Sequence, residues 1–300
     1  MPRVIANAAQ ESLSLDECIA ELDDTGFDAS DEGSLLNGAK CLARLGRNRD
    51  FLGDMLIEQL KNRHNADDSR SAYGPQAIIL SDQRRGYFLR GNIWPAESDH
   101  ALRASGGRSF VYGIPHDHNF DFLTVGYFGP GYVSDYYEYD YEAVAGFRGE
   151  HAGLRFVERS ALSEGRLLHY RAHRDVHSQL PPESLSVSLN VMATDPAQGW
   201  FDQYGFDLES GEISGALNHG ANETFLRLAV AMGGEEASDL AAWIGDSHPS
   251  GRLRLASYEA RSLLLEDAAE SDALWRRAEL SGDLLVAGEA AIRRCDLETA

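Results

Sequence analysis

The chain has 300 residues, an apolar share of 43% and a formal charge of −21, from 27 basic against 48 acidic side chains. That length suits one large domain or two modest ones, each with a full core. The acidic balance excludes nucleic acid and anionic membrane as expected partners, since both demand clustered Lys and Arg; the excess charge serves solubility by self-repulsion.

Three regions follow in chain order. Residues 12–63 carry apolar side chains at three-to-four spacing in SLDECIAEL and SLLNGAKCLARLGRNRDFLGDMLIEQLKN, which predicts helices, with Ser14 or Asp16 as the first cap. A polar linker, NADDSRSAYGP, occupies 65–75. Residues 76–215 are short runs rich in aromatic and branched residues, among them GYFLRGNIW, FDFLTVGYFG, YVSDYYEYDY, RLLHYRAH and SLSVSLNVMA, separated by Gly, Pro, Asp and Ser. Many short strands at close spacing predict a sandwich, jelly roll or barrel. From residue 218 the pattern is helical again, Ala- and Leu-rich, with Pro249 and Ser250 at the start of one helix. The expected domains are therefore 1–70, a helical region packing on a barrel; 75–215, the β-barrel; and 218–300, a helical region suited to packing on the barrel or to a homodimer interface. Trp94 is expected in the core, with Trp243 and Trp275 filling helix contacts and His151 in a turn. The tyrosine-rich run 132–141 is expected to be an alternating strand.

Cys18, Cys41 and Cys295 are scattered, odd in number and without zinc spacing, which leads to the expectation of a reducing cytoplasm. The opening MPRVIANAAQESLSLDE turns polar too soon for a signal peptide. No stretch approaches the ~20 apolar residues of a membrane span.

The chemistry concentrates at PHDHNFDF, residues 115–122. On a strand, His116 and His118 project from one face, so a sheet could offer two ring nitrogens to one metal ion. Asp117 has the opposite parity and is expected to point outward, as is Asp121 if the strand stays regular. Third-ligand candidates are His169, His173 and His177, which share parity. Four residues of extended chain span roughly 13 Å, so a single ion takes at most one of them. His177, ahead of the turn QLPPE and the alternating SLSVSLNV, is preferred, with His173 as the rival.

These stretches resemble the cupin superfamily, and within it the cysteine-dioxygenase-like thiol dioxygenases. GIPHDHNFDFLTVGYFGPG matches their HxH followed by a hydrophobic strand and a glycine turn, DVHSQLPPESLSVSLNV their later His and V-S-L strand, and YFLRGNIWP the strand ahead of the HxH. The resemblance spans roughly residues 76–200 and implies a mainly β fold, a double-stranded β-helix (jelly-roll) barrel flanked by helices. It implies that His116, His118 and His177 form a facial triad for one Fe(II), with O2 as co-substrate. Ordinary cupins place a Glu about five residues after the second His; Leu123 fills that slot here. No Asp lies two residues after either His, so no 2-oxoglutarate is expected. The family's early-strand Arg has no match, and Arg90, or Arg84 and Arg85, are the substitutes. Its tyrosine-linked Cys has none either, since no Cys lies between Cys41 and Cys295.

The expected activity is thus an Fe(II)-dependent cupin oxygenase acting on a small amino-acid-derived or thiol substrate. The alternatives are an oxygenase or hydroxylase of a peptide or natural-product intermediate, a ligand-sensing cupin without turnover, and a metal-dependent isomerase or lyase. Tyr170 and His173 are the expected groups for proton supply or O2 positioning, Arg90 for substrate binding, and Asn119 and Tyr127 for orienting imidazoles near the substrate. Three imidazoles also accept Ni, Mn, Cu or Zn.

Overall fold

The computed structural model describes residues 1–62 and 76–299; the linker expected at 65–75 lies outside the described residues. The chain divides into two compact units, one from Met1–Tyr139 and Leu154–Gln198, the other from Asp140–Gly153 and Gly199 onward.

The first unit begins with β1 (Arg3–Ile5), α1 (Leu15–Thr25), α2 (Glu32–Leu45) and α3 (Phe51–Asn62). Ser14 is the N-cap of α1: its hydroxyl accepts from the Glu17 backbone N–H while the Glu17 carboxylate accepts from Ser14 N–H, a closed capping box. Then come β2 (Ala77–Ile79), β3 (Tyr87–Trp94), the short α4 (His100–Ser105), β4 (Phe122–Phe128), β5 (Val133–Glu138), β6 (Arg155–Ala161), β7 (Leu167–Tyr170), β8 (Asp175–Leu180) and β9 (Ser186–Ala193). They form a six-stranded sheet ordered β1-β7-β4-β9-β3-β2 and a three-stranded sheet ordered β6-β5-β8. Every pairing within them is antiparallel, and among the described residues neither sheet closes on itself.

Strand alternation sorts side chains into two cores. On one face of the six-stranded sheet Leu89, Leu123, Val125, Leu189 and Val191 pack with Leu35, Ala39, Leu42 and Leu45 of α2. On the other face Trp94, Phe122, Leu168, Tyr170 and Met192 meet Tyr132 and Tyr136 of the three-stranded side. The period of two in SLSVSLNV explains the split: Leu189 and Val191 go to the helices, while Ser188, Asn190 and Met192 go to the interior between the sheets. The turn between β4 and β5 depends on Gly131, at φ +82°; a Cβ there would collide with the Leu162 carbonyl.

The second unit contains the hairpin β10 (Tyr204–Phe206) and β11 (Ile213–Ala216), then α5 (Ala221–Met232), α6 (Glu235–Ser247), α7 (Gly251–Ser262), α8 (Ala268–Glu279) and α9 (Leu284–Thr299). The strands near 215 therefore belong to this unit and not to the two sheets of the first unit. Ser250 caps α7 by accepting from Leu253 N–H. Leu226, Val230, Ala241, Ile244, Ala256 and Ala260 bury the α5–α7 contact, and Trp275, Ala278, Val286 and Ala290 gather around Tyr258 of α7. Trp275 is buried as expected. Trp243 is not, being 58% exposed, because the Ala241–Ile244 stripe takes the inward face of α6 and residue 243 falls off it. His151 bridges Glu212 within a loop.

Candidate metal centre

His116 and His118 lie on an extended segment ahead of β4, and His177 lies on β8. The segment is held to β8 by an isolated antiparallel bridge between His116 and His177. One ring nitrogen from each of His116, His118 and His177 lies within 4.8 Å of the other two. Ring centroids are 4.9 Å apart for His116–His118, 4.6 Å for His116–His177 and 5.1 Å for His118–His177.

The ring chemistry fits a cation. His116 Nδ1 lies 2.7 Å from the Ile114 carbonyl, which can only accept, so Nδ1 carries the hydrogen and Nε2 presents its lone pair. That Nε2 stands 3.3 Å from Nε2 of His177. Burial pushes all three imidazoles below their ordinary pKa; mutual repulsion adds to this at His118 and His177, and the Arg90 charge adds further at His118. Neutral rings are the ligating form. Nδ1 of His118 and of His177 are buried without a hydrogen-bond partner, so protein atoms alone leave the cluster unsatisfied.

Aromatic rings wall the site. Phe120 and Phe122 lie 5.1 and 4.9 Å from His118, and Tyr170 lies 4.9 Å from His177. Tyr136 faces His177 across the β5–β8 ladder and stacks with it at 6.4 Å. The Tyr170 hydroxyl joins those of Tyr136 at 3.1 Å and Tyr132 at 3.4 Å. Burial raises all three phenols, so they stay protonated. The remaining wall is polar. Arg90 stands opposite Asn190 in the β3–β9 register, with Asn92 opposite Ser188. Asn92 Oδ1, Thr124 Oγ1 and Gln179 Oε1 are buried without partners.

The structure thus brings together His116, His118, His177 and Tyr170, with Arg90 on the same inner face. Tyr127 departs from the expectation: it faces the helical core, where its hydroxyl donates to the Asn48 carbonyl and its ring packs on Phe51. Its odd position on β4 places it opposite Phe122. The Asn119 amide donates to the Gln198 carbonyl, and the Ile114 carbonyl orients His116. His173 sits in the turn between β7 and β8 at φ +59°, half-buried, its N–H donating to the His118 carbonyl at 2.8 Å. Its imidazole is lowered by burial, against the opposing Asp121 charge. His169 faces the helical side and pairs with Asp121 at 2.8 Å. Asp117 points away from the histidines but not to solvent: it is fully buried and accepts from the Tyr139 hydroxyl at 2.6 Å. Arg84 pairs with Asp23 on α1. Gln179, Tyr132 and Tyr136 were missed by sequence reasoning, although residue 179 is two beyond His177 and residues 132 and 136 share parity.

No family model matches the chain, and no curated protein matches it. Solved structures similar to parts of it include cupin-domain proteins and dioxygenases. A salicylate 1,2-dioxygenase from Pseudaminobacter salicylatoxidans is 13% identical over 48% of this chain and 33% of its own, with a TM-score of 0.27. This chain therefore spans about a third of that enzyme's length. A cupin domain from Bordetella pertussis Tohama I is 14% identical over 41% of this chain and 97% of its own, at 0.24. A hydroquinone 1,2-dioxygenase, PnpCD, in complex with Cd2+ and 4-hydroxybenzonitrile is 10% identical over 44% and 79%, at 0.27. No helix among the described residues is long and apolar enough to cross a membrane.

Proposed function

We propose that this protein is a jelly-roll cupin oxygenase that holds one Fe(II) through His116, His118 and His177 and uses O2 to oxidise a small, polar, amino-acid-derived or thiol substrate. The observation that carries the reading is the convergence of three buried, proton-poor imidazoles on one point. The resemblance of the HxH and V-S-L stretches to cysteine-dioxygenase-like cupins supports the choice of iron.

Iron in such a site supplies a Lewis-acidic, redox-active centre with positions left open for substrate and O2. The rest is done by the chain. The Phe120, Phe122, Tyr132, Tyr136 and Tyr170 rings exclude water and strengthen every charge interaction within. Arg90 orients an anionic group of the substrate through its guanidinium fork. The unpartnered oxygens of Asn92, Thr124 and Gln179 take substrate donors or ordered water, which favours a polar substrate. Tyr170 keeps its proton at Oη and positions, by hydrogen bond, a group beside His177.

The test is anaerobic loading with Fe(II) followed by oxygen uptake across a panel of amino acids and thiols. One iron per chain and substrate-dependent uptake are expected. Tight ligand binding without uptake would replace the oxygenase by a sensor, and turnover that persists without air would replace it by a lyase or isomerase.

A further inference from the structure

The helical unit contains a cavity of about 290 Å³, built by residues of that unit alone. At about 30 Å³ per water it has room for roughly ten waters, the size of a small metabolite rather than a nucleotide. In a chain with nearly twice as many acidic as basic side chains, four arginines line it: Arg148 from the 140–153 loop, Arg227 on α5, Arg252 on α7 and Arg293 on α9.

The carboxylates beside them are already spent. Both oxygens of Glu289 accept from Arg148, through its backbone N–H and its guanidinium. Glu259 gives one oxygen to Arg227 and the other to Arg293. Glu223 accepts from His219 and from Gly220 N–H. Asp202 is ion-paired with Arg252, Oδ1 lying 2.7 Å from Nε, and its other oxygen accepts from the Tyr204 hydroxyl. All eight carboxylate oxygens are therefore engaged.

The donors are not. A guanidinium has five N–H groups. Arg227 and Arg293 each give a single terminal nitrogen to Glu259, so two cations share one anion. The Nε–H of Arg293 is buried with no acceptor. Arg148 and Arg227 are 44% and 47% exposed, so the cavity opens to solvent on their side. Arg252 is different: its terminal nitrogens hold the Asn218 and Gly199 carbonyls and fix the local backbone. What Arg227 and Arg293 lack is an acceptor that takes two or more of their N–H groups at once. Carboxylate and phosphate match the guanidinium fork in this way.

We propose that this cavity binds a small metabolite through an oxyanion group, carboxylate or phosphate, clamped between Arg227 and Arg293 with Arg148 at the mouth. The site shares no residue with the histidine cluster.

The test is calorimetric titration of the full-length chain with sodium phosphate and with sodium succinate, against sodium chloride at matched ionic strength. Saturable 1:1 binding of at least one of the two oxyanions is expected, and whichever binds identifies the group recognised. Arg227→Gln with Arg293→Gln should weaken it at least tenfold, and Arg148→Gln alone should weaken it less. Glu259→Gln leaves both guanidiniums without their shared anion and should tighten binding several-fold, a gain that misfolding cannot produce. The proposal is overturned if neither oxyanion saturates wild type or Glu259→Gln, or if Glu259→Gln leaves affinity unchanged or lowers it, which would make the cluster a helix-joining ion network only.

Discussion

His116 and His177 exchange backbone hydrogen bonds in both directions, at 3.0 and 2.9 Å, while their Nε2 atoms stand 3.3 Å apart. The two positions are 61 residues apart in the chain, and the reciprocal pair fixes their Cβ directions before any ion arrives. Preorganisation of this kind makes each ring hard to replace. His116→Ala or His177→Ala should lower metal affinity by more than about 100-fold, the upper end of what loss of an outer hydrogen-bond partner alone costs. His173→Ala should leave metal content at wild-type level. Competition titration with a chelating dye reads both; equal losses in all three variants would remove the 116/118/177 assignment.

Arg90 acts on the site through charge as well as position. It stands opposite Asn190 in the register and helps to hold His118 below its ordinary pKa. Arg90→Gln removes that field, so the lone pair of His118 becomes no less available and metal affinity should not fall. A charge-assisted hydrogen bond to substrate contributes about 1.5–3 kcal/mol, so KM for an anionic substrate should rise by roughly 10- to 150-fold. Steady-state oxygen uptake separates the outcomes: an unchanged KM with a lowered kcat would place Arg90 away from substrate.

Three buried phenols meet at Tyr170. Its hydroxyl is 3.1 Å from that of Tyr136 and 3.4 Å from that of Tyr132, and its ring stacks on Phe122 at 4.3 Å. Tyr170→Phe keeps the ring and leaves both neighbours without their shared partner. The cost should be about 1–3 kcal/mol in urea unfolding at unchanged m-value. Tyr132→Phe, at the longer contact, should cost less than Tyr136→Phe. A reversed order would mean that Tyr170 bonds chiefly to Tyr132.

Much of this architecture was legible where the residue pattern and the local backbone agree. The alternation of SLSVSLNV gave both faces of β9, the parity of 116 and 118 gave two convergent rings, and Ser14, one of two cap candidates, marked the start of α1. The rest depends on partners far away in sequence. Nothing in RVI announces that it pairs with residues 167–169 as β1. DVHSQL reads as the approach to a turn, yet it becomes β8 because β5 supplies a ladder. Parity correctly turned Asp117 away from the histidine cluster, but only the distant Tyr139 decides that it is buried rather than solvated. Tyr127 has the parity of Asp117, which alone argues against a place beside His116 and His118.

The cysteines offer a check on the helical layer that does not involve the metal. Cys18 of α1 and Cys41 of α2 are buried in the core, whereas Cys295 on α9 is exposed. Burial, then the hydrogen bond to Glu21 at 3.2 Å, pushes the Cys41 thiol up to about 12; burial pushes Cys18 up as well, with the Cys41 and Glu21 charges adding to it. The reactive species is the thiolate, and a pKa of about 12 leaves about one part in ten thousand ionised at pH 8. N-ethylmaleimide at that pH should therefore add one label to the native chain, at Cys295, and three after denaturation. Peptide mass spectrometry locates the label. Rapid native labelling of Cys18 or Cys41 would mean that α1 and α2 open readily from the sheet, and that the face of β4 and β9 opposite the histidines is not the packed wall described above.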